Sequence, residues 1–242
     1  MNPTDFAWEA LCNTMRLYAE TSLVFKRLFF VDREEAIANH DRALDAKLEA
    51  FHRLYDVTKK LPKFDYFTHA DTALLIALRN ALHHRDHALF IGWNAMLHGN
   101  GGIGKKAGAA YLMAGYEGLT EGTSRYYMPL HDFYARLGHS SIRRSDAMRA
   151  QWDKELSFAA MVKRGHDEGY PDDQVYVDII PIFISAIRRV ASWLRESGIM
   201  PQRFDGLTYV DHFNGLAPLD LTTPTFMPLR IPMYLYAGSA EA

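Results

Sequence analysis

The sequence predicts a mainly α-helical protein, with a bundle of about five long helices, a β-hairpin insertion and an extended, proline-rich C-terminal segment. Three observations predict this fold class. Apolar residues recur at spacings of three and four over most of the chain, which is the period of a helix. Aromatic stretches of strand length fall between residues 103 and 140, and five prolines lie beyond residue 200.

The first two helices follow directly from this periodicity. One is predicted from Asp5 to about Phe30. The second begins at Asp32, which stands three residues before Glu35 in the pattern of a capping box, and it ends before Pro62. A long helical hairpin therefore opens the chain.

A third helix is predicted from near Asp71 to about Leu97, where several glycines follow. Residues 103–140 contain AAYLMAGYEG and TSRYYMPLHDF, two aromatic stretches separated by a turn, and they predict a β-hairpin insertion. Helical spacing resumes with Met148 and stops at Gly165 and Gly169, then restarts after Pro171 and continues to Gly198, which predicts a fourth and a fifth helix. Residues 199–242 are predicted to be an extended tail, because proline does not fit a long helix.

The composition limits the organisation and the function class. A length of 242 residues suits a single domain over 1–242. With 27 basic and 29 acidic residues the chain has no overall attraction for nucleic acid, so any such contact must be local. No apolar stretch is long enough for a membrane helix, and the N-terminus does not read as a signal peptide. With the single cysteine, Cys12, these features predict a cytoplasmic protein.

The third helix carries an unusual polar segment, LRNALHHRDH at residues 78–87, between two apolar runs. At about 100° per residue its polar side chains share one continuous face of the helix. These side chains are Arg79, Asn80, His83, His84 and His87. Such a face has two explanations, a solvated surface or dimer contact without chemistry and a functional site. The remaining histidines, including His131, His139, His166 and His212, are dispersed and receive no role.

Arg79, Asn80 and His84 match the pattern R-[polar]-x-x-x-H, and the segment in this respect resembles the HEPN superfamily. That superfamily includes many prokaryotic ribonuclease toxins and abortive-infection effectors. The resemblance spans roughly residues 5 to 98 and rests on the motif, its place in a long helix and the two preceding helices. It implies a HEPN-like bundle in which Arg79 and His84 are catalytic and Asn80 assists. It also implies a homodimer and an antitoxin or defence-system partner protein.

The chemistry of these residue types fits a metal-independent endoribonuclease. Attack by the RNA 2′-hydroxyl requires a base, an acid and a cation near the phosphate, and it leaves a 2′,3′-cyclic phosphate. Histidine exchanges protons near neutral pH, whereas arginine stays charged and grips phosphate oxygens. No cofactor is required. Arg79 and His84 point about 140° apart on one helix, so a two-fold dimer would bring the arginine of one chain to the histidine of the other. His87 and His83 are candidates for substrate contact.

Two functional alternatives remain open. A non-catalytic HEPN-like module could use the same face to bind RNA or a nucleotide. His83 and His87 are four residues apart and could also ligate a metal ion from one helix. A third motif, GNGGIGK at residues 99–105, has Lys106 where a phosphate-binding loop needs Ser or Thr, so nucleotide hydrolysis is disfavoured.

Overall fold

The computed structural model describes residues 2–83, 89–99, 102–119, 123–138 and 144–233. These residues form two compact units. The described parts of Met1–Asp86 and Ile182–Leu219 make a helical unit, and those of His87–Pro181 and Asp220–Ala242 make a mixed unit that contains a sheet. The single domain over 1–242 stays a prediction.

The described residues form helices and strands in the proportions of a mainly α-helical protein. The helices are α1 (Pro3–Phe29), α2 (Arg33–Thr58), α3 (Ala70–His83), α4 (Trp93–His98), α5 (Leu130–Leu137), α6 (Ser145–Glu155), α7 (Phe158–Asp167), α8 (Ile180–Glu196) and α9 (Phe204–Gly215). The strands are β1 (Ala110–Tyr116), β2 (Tyr127–Pro129), β3 (Val175–Asp178) and β4 (Pro224–Arg230). Within this part of the chain, no helix combines the length and apolarity needed to cross a bilayer.

The two N-terminal helices are confirmed, and local sequence explains where each begins. The side chain of Asn2 accepts a hydrogen bond from the backbone N–H of Thr4 at 2.8 Å. The carboxylate of Asp32 accepts one from the N–H of Glu35 at 2.9 Å, as the predicted helix start requires. Both side chains satisfy N–H groups that the first turn of a helix leaves unpaired.

The core of the helical unit lies along α2. Its residues Leu44, Leu48, Phe51 and Leu54 are each 1% exposed or less, and they occupy one face at helical spacing. This face packs α2 against α1 and α3. Burial of such apolar area at about 25 cal/mol per Å² is the main source of stability for a helix pair.

The buried face of α2 also contains two ionisable groups. Lys47 is 4% exposed, and its ammonium lies 3.7 Å from the ring centre of Tyr18 and 4.1 Å from that of Phe183. The aromatic faces carry partial negative charge and stabilise the cation. His40 is also 4% exposed and lies between Tyr18 and Phe25, with ring centres 5.1 Å and 5.2 Å away. Burial and the charge of Lys47 lower the pKa of His40 to about 4.

The mixed unit is built around a four-stranded sheet with the order β2-β3-β1-β4. β1 pairs in parallel with β3 and antiparallel with β4, while β2 pairs antiparallel with β3. Residues 111–116 of β1 are all buried, because side chains cover both faces of this central strand. On one face Trp93 packs against Tyr111 and Tyr176 at ring distances of 4.8 Å and 5.2 Å.

The predicted β-hairpin at 103–140 is wrong. Its two stretches contribute β1 and β2, but β3 lies between them in the sheet. The segment that forms β3, VYVD, was expected to belong to the start of the fifth helix. The period of so short a segment does not distinguish a strand from the end of a helix. The pairing of β3 with β1 joins residues about 60 positions apart, so no local pattern predicts it.

Three other boundaries also differ from the prediction. The third helix does not continue to Leu97, because Phe90 has a left-handed φ of 63° and its N–H donates to the buried carboxylate of Asp132. The fourth helix is divided into α6 and α7 at Ser157, whose φ is 55°. The tail at 199–242 is not extended throughout, since it contains α9 between two prolines. β4 does contain prolines, which an edge strand tolerates.

Asp178 at the end of β3 connects β2 to α8. Its side chain is fully buried, and Oδ1 accepts hydrogen bonds from the N–H groups of Tyr126 and Ile180, each at 3.1 Å. Oδ2 accepts from Arg125 at 3.0 Å. Burial raises the pKa of Asp178 despite these bonds. The carboxylate therefore satisfies two main-chain donors that no water reaches.

We expect Asp178→Ala to lower the free energy of unfolding by about 2–4 kcal/mol, because two buried N–H groups lose their acceptor. Asp178→Asn keeps an oxygen at the Oδ1 position and loses only the partner of Arg125, so its loss should be clearly smaller. Urea denaturation of the three proteins measures the difference. Equal losses in the two variants would contradict the assigned role of Oδ1.

We also expect His40 to contribute a loss of stability as the pH decreases from about 6.5 towards 4, because the unfolded chain binds a proton at His40 that the folded chain excludes. A pKa difference of about 2.5 units corresponds to about 3 kcal/mol, which is lost in full only below pH 4, where the folded chain also binds the proton. His40→Gln should remove this contribution to the pH dependence of stability, whatever the substitution does to the stability at pH 7. The measurement is the denaturation midpoint from pH 4 to 7.5, and an unchanged slope in the variant would show that His40 is not its source.

Candidate functional site

Helix α3 presents the polar motif at the end of an otherwise buried segment. Residues 70–78 are all buried, as expected for a helix that is apolar on every side. Arg79 and Asn80 are then partly exposed and His83 is exposed, whereas Ala81 between them stays buried. The buried part fixes the axis of the helix, and its polar end faces solvent beside α2.

Arg79 is held by an ion pair with α2. Its Nε lies 2.7 Å from a carboxylate oxygen of Glu49, and the Arg79 side chain is 15% exposed. Its Nη1 donates a second hydrogen bond to the Oδ1 atom of Asn80 at 3.2 Å. A guanidinium has five N–H donors, so the remaining ones are available for a ligand. The structure thus brings the motif arginine and its neighbouring amide into direct contact.

A cavity of about 270 Å³ lies between the two helices at this point. Its wall on α3 includes Arg79 and His83, which are one turn apart and share a face. Its wall on α2 includes Asp45 and Glu49. One cationic, one imidazole and two carboxylate side chains therefore line a small cavity together with the apolar side chains of Leu48 and Leu82.

The charges around this cavity shift one another's pKa. The hydrogen bond from Arg79 holds the pKa of Glu49 below its usual value. Partial desolvation and the charge of Asp41 raise the pKa of Asp45 to about 6. Burial, together with the positive charge of Arg79, lowers the pKa of His52, which lies one turn beyond Glu49 on α2 and contacts Asp56 at 3.3 Å. These groups form one electrostatic network along α2.

Two of the predicted site residues, His84 and His87, lie outside the described residues. The predicted metal pair of His83 and His87 is therefore untested. Over the ranges that the structure describes, no group of three or more His, Cys, Asp or Glu side chains is arranged to hold a metal ion.

The sequence did not identify the α2 side of the site. Asp45, Glu49, His52 and Asp56 follow one another at spacings of four, three and four, which is a polar stripe on a helix otherwise recognised by its apolar face. This stripe was visible in the sequence. Its pairing with Arg79 was not, because Glu49 and Arg79 are 30 residues apart.

A second cavity, of about 690 Å³, lies in the mixed unit. It is lined by two of the histidines that the sequence left without a role, His131 and His166. Nε2 of His131 lies 3.0 Å from the buried carboxylate of Asp132, and this hydrogen bond raises the pKa of the imidazole. The hydroxyl of Tyr134 donates to Asp153 on the same wall. Polar residues that are far apart in the sequence thus line one cavity, and no local sequence motif predicted it.

Comparison of the chain with models of known protein families, with curated proteins and with solved structures finds no match in any of the three. The HEPN resemblance therefore rests on the sequence motif at Arg79, Asn80 and His84 and on the helices that precede it.

We expect the pKa of His52 to lie below its usual value of about 6.5 and to rise in Arg79→Ala, because the variant removes a nearby positive charge and leaves Glu49 uncompensated. NMR titration of the imidazole Cε1 proton measures both values. Arg42→Ala is the matched control, since Arg42 lies on the same helix with its side chain 68% exposed. Equal His52 values in the wild type and Arg79→Ala would mean that the network does not form.

Proposed function

We propose that this protein is a HEPN-like, metal-independent endoribonuclease that cleaves RNA through 2′-hydroxyl attack. The observation that carries the proposal is the placement of Arg79 and His83 on the wall of one cavity at the end of α3, with Asn80 hydrogen-bonded to Arg79. Arginine supplies the cation and histidine the acid or base that phosphodiester cleavage without a metal requires, and the amide of Asn80 adds a hydrogen-bonding group.

Arg79 is proposed to bind the scissile phosphate and to stabilise the charge of the transition state. Glu49 supports this role by holding the guanidinium in place through Nε. The Glu49 side chain is 46% exposed, so the ion pair contributes little to stability and can rearrange when a phosphate approaches. A phosphate would bind the outer N–H donors in the two-pronged geometry that arginine favours.

His84 is proposed as the general acid or base, with Asn80 orienting it or the phosphate. His83 and His87 are proposed substrate contacts. One turn of α3 separates His83 from Arg79, so both can reach the same phosphodiester. A homodimer, an antitoxin or defence-system partner and a cytoplasmic location complete the proposal. They derive from the HEPN resemblance and from the sequence.

The test is cleavage of a mixed-sequence RNA by the purified protein in EDTA. We expect the wild type to produce 2′,3′-cyclic phosphate ends, and we expect Arg79→Ala and His84→Ala each to lower the rate by about 100-fold or more. Arg42→Ala and His212→Ala, which replace exposed residues of α2 and α9, should keep full activity. Circular dichroism and denaturation curves confirm that all variants are folded.

Intact RNA after incubation with the wild type would contradict the enzyme proposal. RNA binding that depends on Arg79 would then favour the non-catalytic module. Zinc at one equivalent per chain, lost in a His83→Ala variant, would instead favour the histidine metal site.

A further inference from the structure

A third cavity, of about 520 Å³, lies in the helical unit between α8, the segment after α2 and the residues that follow α9. Its volume is within the range of about 300–1,000 Å³ that is usual for small-molecule sites. The cavity combines basic side chains, serine hydroxyls and an aromatic wall, and the ribonuclease proposal does not use it.

The basic side chains are fixed by protein contacts that leave their outer donors free. Arg189 uses Nε to contact the carboxylate of Asp71 at 3.2 Å, and Asp71 is 2% exposed. The same carboxylate oxygen accepts from the hydroxyl of Ser185 at 2.7 Å. Arg188 uses Nε to donate to the carbonyl of Leu216 at 2.9 Å. Each guanidinium is thus oriented through one nitrogen, and its terminal nitrogens remain for a ligand.

The cavity has an excess of positive charge. Lys63, Arg188 and Arg189 line it, against the single carboxylate of Glu196. Among the described residues, neither Lys63 nor Arg188 has a carboxylate within ion-pair distance. Because Asp71 neutralises Arg189 and Glu196 offsets one of the other two cations, the cavity retains a net positive charge that favours an anionic ligand.

Aromatic side chains line the cavity beside these cations. Phe64 stacks on Trp193 with ring centres 4.9 Å apart and an angle of 19°. The indole N–H of Trp193 donates to the carbonyl of Pro62 at 3.2 Å, which ties the segment carrying Lys63 and Phe64 to α8. A preorganised aromatic surface next to paired guanidinium groups suits a ligand that has both a flat apolar part and an anionic end.

We propose that this cavity binds an organic phosphate monoester carrying an aromatic group. The phosphate contacts Arg188, Arg189 and Lys63, in the two-pronged arrangement that guanidinium groups offer to phosphate oxygens. The aromatic group lies against Phe64. The site is separate from the cavity at Arg79 and does not depend on the ribonuclease proposal.

Calorimetric titration of the full chain tests this proposal with four probes, AMP, phenyl phosphate, adenosine and inorganic phosphate. We expect AMP or phenyl phosphate to bind at least about tenfold more tightly than adenosine or inorganic phosphate. Only the monoesters contact both the basic side chains and the aromatic ring of Phe64. The ratio of AMP to phenyl phosphate distinguishes a nucleotide from a smaller aryl phosphate. Equal binding of adenosine and AMP, or no binding of either monoester, would overturn the proposal.

Variants locate the site. Arg188→Ala should weaken monoester binding by about tenfold, since hydrogen bonds to charged groups are among the stronger ones. Lys63→Asn is a second variant outside the core, and asparagine accommodates the φ of 74° at this position. Arg195→Ala is the matched control, because Arg195 is exposed on the same helix and does not line the cavity. Equal losses in Arg188→Ala and Arg195→Ala would show non-specific charge attraction and would refute the site.

Discussion

The helical unit depends on helix α2, a 26-residue helix that has a buried apolar face and, next to it, a polar face. One face contains Leu44, Leu48 and Phe51, which lose nearly all contact with water. The neighbouring stripe contains Asp45 and Glu49, which stay near solvent and reach the end of α3. Because a helix repeats every 3.6 residues, the same rigid element fixes both the core and the charges of the candidate site.

Helix α3 is held in place by side-chain contacts with a different helix at each of its ends. Asp71 in its first turn binds Ser185 and the guanidinium of Arg189 on α8. Arg79, two turns later, binds Glu49 on α2. The apolar residues between these two positions are buried on all sides, so the helix has little freedom to rotate. Both proposed ligand cavities in the helical unit therefore depend on the orientation of one short helix.

The two ion pairs differ in what they contribute. Asp71 is almost fully buried, so loss of its partners would leave a charge away from water, which is costly. Glu49 is nearly half exposed and its pair with Arg79 is open to exchange. The buried Asp71 supports Arg189 at the proposed phosphate site, and the exposed Glu49 leaves Arg79 at the proposed ribonuclease site able to exchange its partner. In the mixed unit Asp178 serves a third purpose, since it satisfies main-chain donors where β3 ends.

The sequence by itself determined the features that depend on local spacing. The start of α2 at Asp32, the paired N-terminal helices and the polar face at Arg79 and Asn80 all follow from residues within a few turns of one another. Tertiary structure alone decided the order of the sheet, the strand at Val175–Asp178 and the pairing of Glu49 with Arg79. These contacts join residues 30 or more positions apart, and their energy comes from burial and charge at sites that periodicity does not connect. The spacing of residues in the sequence therefore identified Arg79 and Asn80 as polar side chains on α3. Only the packing of α3 against α2 determined that Arg79 pairs with Glu49.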